Sequence, residues 1–251
     1  MGRPGVGIAA LLVLVGCGGG TTNRTASPRT RPGSPPASTA PSGPQPAEKQ
    51  SVLSPGVTYY PAHFEPRMTF ALQDTWWLDG EDRWALVMTP GTSYQSEENV
   101  VVIDVRRVFE PSNQRKPIPA PKDLVGWFVR HPGFVFLTKP HPVEIGGVRG
   151  TEFDLRLGKA PLCAPNPNLP SGTRCWLITP FRPGDPFSPT ETALGPPLGV
   201  FTSPTGSPDR NRFDILRVHG HQLLITYADY PESFPSTVRL YERLLQAIRF
   251  G

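Results

Sequence analysis

Pro142-Val143-Glu144-Ile145-Gly146-Gly147-Val148-Arg149-Gly150-Thr151-Glu152-Phe153-Asp154-Leu155-Arg156-Leu157 carries the clearest structural signal in the chain. One strand enters the Gly146-Gly147 pair and another leaves it, because two consecutive glycines supply the positive φ that a tight hairpin turn needs. Beyond the turn the side chains alternate, with Phe153, Leu155 and Leu157 on one face and Glu152, Asp154 and Arg156 on the other. Such alternation marks a strand of an antiparallel sheet with one covered face. The apolar set is therefore expected inward and the charged set outward.

Similar patterns flank the hairpin. Arg67-Met68-Thr69-Phe70-Ala71-Leu72 alternates, Trp84, Leu86 and Met88 share a face, and Val100 to Val108 sets Val101, Ile103 and Val105 against Asp104 and Arg106. A second hairpin is expected where Phe213 to Val218 and Gln222 to Ala228 meet through His219-Gly220-His221. Two helices interrupt the strands. Pro121 to His131 opens on proline, spaces Leu124, Trp127 and Phe128 helically, and stops at Pro132-Gly133. Near the end, Ser233-Phe234-Pro235 starts a segment in which Val238, Tyr241, Leu245 and Ile248 recur at three and four residues. Arg239, Glu242, Arg243 and Gln246 lie elsewhere on it, so the helix is amphipathic and mixed in charge, as one packed on a sheet would be. The expected fold class is α+β, an antiparallel sheet with a short middle helix and a C-terminal helix packed on it.

The order of these parts resembles that of exported bacterial lipoproteins with a PsbP-like α/β sandwich. The resemblance covers roughly Val57 to Phe250 and rests on Gly146, Gly147, Gly150 and the closing Ala247-Ile248-Arg249-Phe250. It implies an antiparallel sheet with helices packed on it, and a role as a binding or assembly accessory to envelope or membrane complexes. It transfers no functional residue.

The amino terminus specifies an address. Val6 to Val15 is an apolar run of ten residues, half of the ~20 that a helix needs to cross a bilayer. It is the h-region of a signal peptide. Leu14-Val15-Gly16-Cys17 resembles a lipobox, in which cleavage precedes a cysteine that then carries lipid. An uncleaved or simply secreted leader is the competing reading. Residues 1–16 are thus expected to be a lipoprotein signal peptide, and residues 17–50 a lipidated cysteine followed by a tether. Gly18 to Gln50 holds seven prolines and no aliphatic or aromatic side chain larger than alanine. Such a segment buries too little apolar area to offset its ordering entropy. Residues 51–251 form the single folded domain.

Three cysteines leave one over in an oxidising compartment, and lipidation of Cys17 accounts for it. Cys163 and Cys175 enclose eleven residues rich in turn formers. A disulfide there stabilises by about 3 kcal/mol in the chain-entropy picture. The alternative, a metal pair, lacks the C-x-x-C spacing and a neighbouring histidine. Charge is divided along the chain. Removing Arg3, Arg24, Arg29, Arg31, Lys49 and Glu48 from the 25 basic and 21 acidic residues leaves the domain formally neutral. A nucleic-acid partner needs a basic face, and none is implied.

Candidate chemistry is sparse. His219 and His221 at i and i+2 would share a strand face, a weak metal pair with no third ligand, while Gly220 between them suits a hairpin apex. Glu81-Asp82, Glu97-Glu98 and the Glu152/Asp154 pair are expected as solvated charges. No Gly-x-Ser-x-Gly elbow, Ser-x-x-Lys or nucleotide loop is present. Trp76 and Trp77 are adjacent, so on a strand one enters the core while the other stays near the surface, a candidate anchor for a partner. Pro180 to Pro208 carries eight prolines and is expected as a surface excursion. Together these features predict a lipid-anchored extracytoplasmic binding or assembly module of a bacterial envelope, without enzymatic activity or cofactor. Its partners are the membrane, through Cys17, and an envelope protein or small ligand. An envelope hydrolase and a small-ligand or lipid carrier are the alternatives.

Overall fold

The computed structural model describes residues 43–92, 99–163, 172–180, 198–202, 210–229 and 231–251. Strands β1 (Gln45–Ala47), β2 (Ser51–Leu53), β3 (Thr58–Pro61), β4 (Met68–Ala71), β5 (Trp76–Glu81), β6 (Ala85–Pro90), β7 (Val100–Asp104), β8 (Arg107–Glu110) and β9 (Asn113–Pro119) precede helix α1 (Leu124–Arg130). Then come β10 (Phe134–Phe136), β11 (His141–Ile145), β12 (Val148–Leu157), β13 (Arg174–Thr179), β14 (Leu198–Thr202), β15 (Arg210–Val218) and β16 (His221–Asp229). Helix α2 (Phe234–Ala247) and β17 (Ile248–Phe250) close the chain. The expected leader, Cys17, the greater part of the expected tether, Glu97-Glu98 and most of the Pro180 to Pro208 segment lie outside the described residues.

The opening hairpin forms as the residues require. Gly146 and Gly147 take φ of +60° and +79°, and β11 pairs antiparallel with β12 from Ile145↔Val148 to His141↔Glu152. Around it lies a nine-stranded sheet in the order β10-β12-β15-β16-β7-β6-β5-β2, with β11 also on β12. A second sheet runs β1-β3-β4-β17, and β13-β14 and β8-β9 make two-stranded sheets.

This architecture overturns the expected α+β sandwich. Among the described residues strands make up 54% and helix 13%, spread over several sheets with two helices. The added strands were illegible locally. Asn113–Pro119 reads Asn-Gln-Arg-Lys-Pro-Ile-Pro, without alternation and with two prolines, yet it pairs with β8. The stretch from Val100 to Val108, expected as one strand, divides into β7 and the start of β8, which belong to different sheets. β1 lies within the stretch expected as tether, pairs parallel with β3, and buries Ala47.

Apolar side chains fill both faces of the nine-stranded sheet. One core holds Trp76, Leu86, Met88, Val102, Ile225 and Tyr227 beneath α2 and the four-stranded sheet. The other holds Ala85, Val87, Ile103, Phe153, Leu155 and Phe213 beneath α1 and the β13-β14 pair. Burying a large apolar side chain contributes about 1.5–3 kcal/mol, so a strand with two covered faces is anchored twice. All five residues of β7 are buried. In β6, Leu86 and Met88 share a face as expected, but Ala85 and Val87 on the other face are buried as well.

Helix α1 starts where Asp123 accepts a hydrogen bond from the Gly126 amide at 2.7 Å, and it buries Leu124 and Phe128. Helix α2 carries proline in its first turn, buries Phe234, Val238, Tyr241, Leu244 and Leu245, and ends as Ile248 turns extended into β17. A disulfide joins Cys163 and Cys175, whose Cα atoms are 5.3 Å apart.

Candidate functional site

Strand β17 pairs antiparallel with β4, setting Arg249 opposite Thr69 and Phe250 opposite Met68. A cleft opens on each side of it, and Arg249 lines both. The larger, of about 790 Å³, lies among Tyr60, His63, Phe64, Arg67, Met68 and Phe250, with Pro44 and Gly251 also at its wall. The smaller, of about 460 Å³, lies between the Gly146-Gly147 turn and α2, with Glu144, Glu152, Glu242, Leu245 and Gln246 among its lining. Both fall within the usual range for small-ligand sites, about 300–1,000 Å³. A Cβ on Gly146 would stand 2.9 Å from the Phe250 ring and 3.1 Å from the Ile248 carbonyl oxygen, so the hairpin is seated directly on β17.

Beneath the smaller cleft runs a buried polar network that holds α2 to the sheet. Asp154 is fully buried and accepts from two arginines. Arg212 donates from Nε to Oδ1 at 2.8 Å and from Nη2 to Oδ2 at 3.3 Å, and Arg210 donates to Oδ2 from both Nε and Nη2. Phe234 of α2 covers the pair, with the Arg210 and Arg212 guanidinium carbons 4.4 and 5.6 Å from its ring centroid. Burial works to raise the Asp154 carboxyl, but the hydrogen bonds and charges of the two arginines outweigh it and hold it below 3.8. Two residues along β15, Asp214 is also fully buried, and its Oδ2 accepts from the Tyr241 hydroxyl. Burial pushes this carboxyl up to about 7; Tyr241 and Arg212 oppose the shift, while Glu152 and Asp154 add to it.

The network corrects the expectation that Glu152 and Asp154 face solvent. Their strand face lies under α2, and ion pairing with Arg210 and Arg212 is what lets Asp154 sit there. Glu152 is half-buried and meets His141 at 3.2 Å. The expected metal pair is also separated. His219 and Gly220 form the two-residue turn with φ of +49° and +87°, so only His221 lies on β16. Its Nδ1 is 2.9 Å from Asp104 Oδ2, which Arg106 also contacts at 2.7 Å. Among the described residues no group of three His, Cys, Asp or Glu side chains is placed to hold a metal ion.

Trp76 and Trp77 part company at β5. Trp76 is buried in the core under α2, and Trp77 is half-buried on the opposite face. Glu81 is buried, its Oε1 accepting from the Ala62 amide and lying 3.1 Å from His63 Nδ1. Asp82 receives the amides of Trp84 and Ala85 in a turn.

The cleft residues Tyr60, Phe64, Arg67 and Arg249 escaped the sequence reading. Arg67 and Arg249 share a wall through β4-β17 pairing, a contact between the two ends of the domain that no local pattern announces. The alternation of Arg67 to Leu72 and the closing Ala247-Ile248-Arg249-Phe250 were the signals near them, and neither pointed to a cleft. Compared with known proteins, the chain matches no protein-family model and no curated protein.

Proposed function

We propose that the protein is a lipid-anchored extracytoplasmic binding module of a bacterial envelope, held by Cys17 and binding its ligand beside β17. The observation that carries the binding half is the cleft of about 790 Å³, whose lining mixes aromatic, apolar and cationic side chains. The anchor half rests on Leu14-Val15-Gly16-Cys17 behind a ten-residue apolar run. Consistent with attachment by lipid, no helix among the described residues is long and apolar enough to cross a membrane. The Cys163–Cys175 disulfide suits an oxidising compartment outside the cytoplasm.

Native mass spectrometry of the purified protein tests binding. A co-purifying mass that disappears when Thr69→Trp fills the cleft supports it, and a bare protein mass from its native host speaks against it. The anchor is tested by fractionation. Cys17→Ser moves the protein from the membrane to the soluble fraction, and an unchanged distribution removes the anchor.

A further inference from the structure

The cleft between β3-β4 and β17 has an uneven supply of uncommitted charge. Glu65 on its wall is taken by Arg83 at 3.0 Å, and His63 lies against Glu81 at 3.1 Å. Arg67 is exposed, and its guanidinium meets no partner among the described residues. Arg249 is oriented: its Nη1 donates to the carbonyls of Gln246 at 2.7 Å and Ile248 at 2.5 Å, and both bonds use that one nitrogen. The Gly251 backbone is fixed by its amide donating to the Arg67 carbonyl at 3.1 Å, and no ion pair joins that end of the chain to either arginine among the described residues. The rest of the lining is mixed, with His63, Glu65 and Thr69 beside Tyr60, Phe64, Met68 and Phe250. Phe64 and Met68 are each 3% exposed, Phe250 is half-buried, and Tyr60 keeps 39% of its surface in water.

We propose that this cleft holds a single-chain amphiphile, its anionic carboxylate or phosphate head on Arg67 and Arg249 and its apolar stem along Tyr60 and Phe250. Arginine suits such a head because its planar fork gives charge-assisted, paired hydrogen bonds to carboxylate or phosphate oxygens. Arg249 is pre-organised by its two carbonyl contacts and loses little freedom on binding, whereas Arg67 closes onto the ligand from solvent. The stem supplies the rest by removing the Tyr60 and Phe250 surfaces from water. This ligand class rests on the proposal that the cleft is the binding site.

Isothermal titration calorimetry on the full chain carrying Cys17→Ser separates the parts, with dodecyl phosphate below its micelle concentration as the probe. Saturable one-to-one binding is expected, with inorganic phosphate and dodecyl maltoside each at least about tenfold weaker, since each lacks one half of the recognition. Arg67→Ala should weaken dodecyl phosphate about tenfold by loss of a charge-assisted contact, and Tyr60→Ser should weaken it without changing inorganic phosphate. Near-UV circular dichroism confirms that each variant keeps its fold. Equal binding of dodecyl maltoside, equal binding of inorganic phosphate, or an unchanged affinity in Arg67→Ala each overturns the amphiphilic anion. All three leave binding at the cleft standing, because they require a bound probe. Absence of heat with every probe overturns the ligand class, and the co-purifying mass then decides the binding proposal by itself.

Discussion

Asp154 on β12 and Asp214 on β15 lie on the same sheet face beneath α2, each with no solvent exposure, yet they reach opposite charge states. Asp154 meets two guanidinium groups and stays ionised well into acid. Among the described residues Asp214 meets only a phenol hydroxyl, with Glu152 opposite it in register, and it holds its proton up to about neutral pH. Burial is common to both, and the difference is whether a cation sits within hydrogen-bonding reach. A buried carboxylate without such a partner neutralises itself because desolvation costs more than protonation. One of its oxygens, Oδ1, has no hydrogen-bond partner, which a neutral carboxyl tolerates far better than a carboxylate would.

Removing the charge from the paired site should have the largest effect. Asp154→Ala takes the buried carboxylate from Arg210 and leaves Arg212 with Glu242 at 3.0 Å and Glu152 at 3.8 Å, and breaking a buried pair costs about 3–5 kcal/mol. A urea unfolding midpoint at pH 7 measures it, and a loss below about 1 kcal/mol would dissolve the contrast between the two sites.

Asp214→Asn acts in the opposite sense. The folded-state pKa of Asp214, about 7, lies above the ordinary carboxyl value of 3.8, so between those values the folded protein keeps a proton that the unfolded chain releases. Its contribution is therefore present in full below about pH 4 and declines until about pH 7. Asparagine mimics the protonated form and should flatten that decline, stabilising the protein at pH 8 relative to wild type by a few kcal/mol while changing little at pH 4. Asp154 runs the other way. Its folded value lies below 3.8, so its stabilisation is present above about pH 4 and is lost as pH falls through the folded value. Unfolding midpoints of wild type and Asp214→Asn across pH 4 to 8 test both signs, and parallel curves would refute the assignment to Asp214.

Tyr241→Phe removes the one side-chain donor that Asp214 has among the described residues and should cost about 1–3 kcal/mol, with a steeper loss as pH rises. Denaturation at pH 5 and pH 8 reads this directly. The smallest effect belongs to Glu242→Gln. Glu242 meets Arg212 at 3.0 Å but keeps 47% of its side chain in solvent, so the change should stay within about 1 kcal/mol and fade in 0.5 M salt, as the screening of exposed pairs requires.

The hairpin was legible because Gly146-Gly147 states its turn locally, and the helices because 3.6-residue spacing and the prolines that open them, Pro121 and Pro235, are local too. Misreading Asp154 has an equally definite cause. Alternation shows that a strand has two chemically different faces, but it shows water on the polar face only if nothing covers it. Here α2, more than 70 residues further on, covers that face with Phe234 and Tyr241. Short strands such as β9 and β14 were hidden for the related reason that their pairing partners, and not their own residues, make them strands.

By itself the sequence determined the turns, the two helices, the pairing-competent cysteines and the division of charge between the first fifty residues and the rest, all properties that neighbouring residues specify among themselves. Only the tertiary structure decided that both faces of the central sheet are covered, that Asp154 and Asp214 part in charge, and that Arg67 and Arg249 share a cleft. Each of those depends on distances between residues far apart in the chain, and burial and charge pairing are functions of distance, not of order.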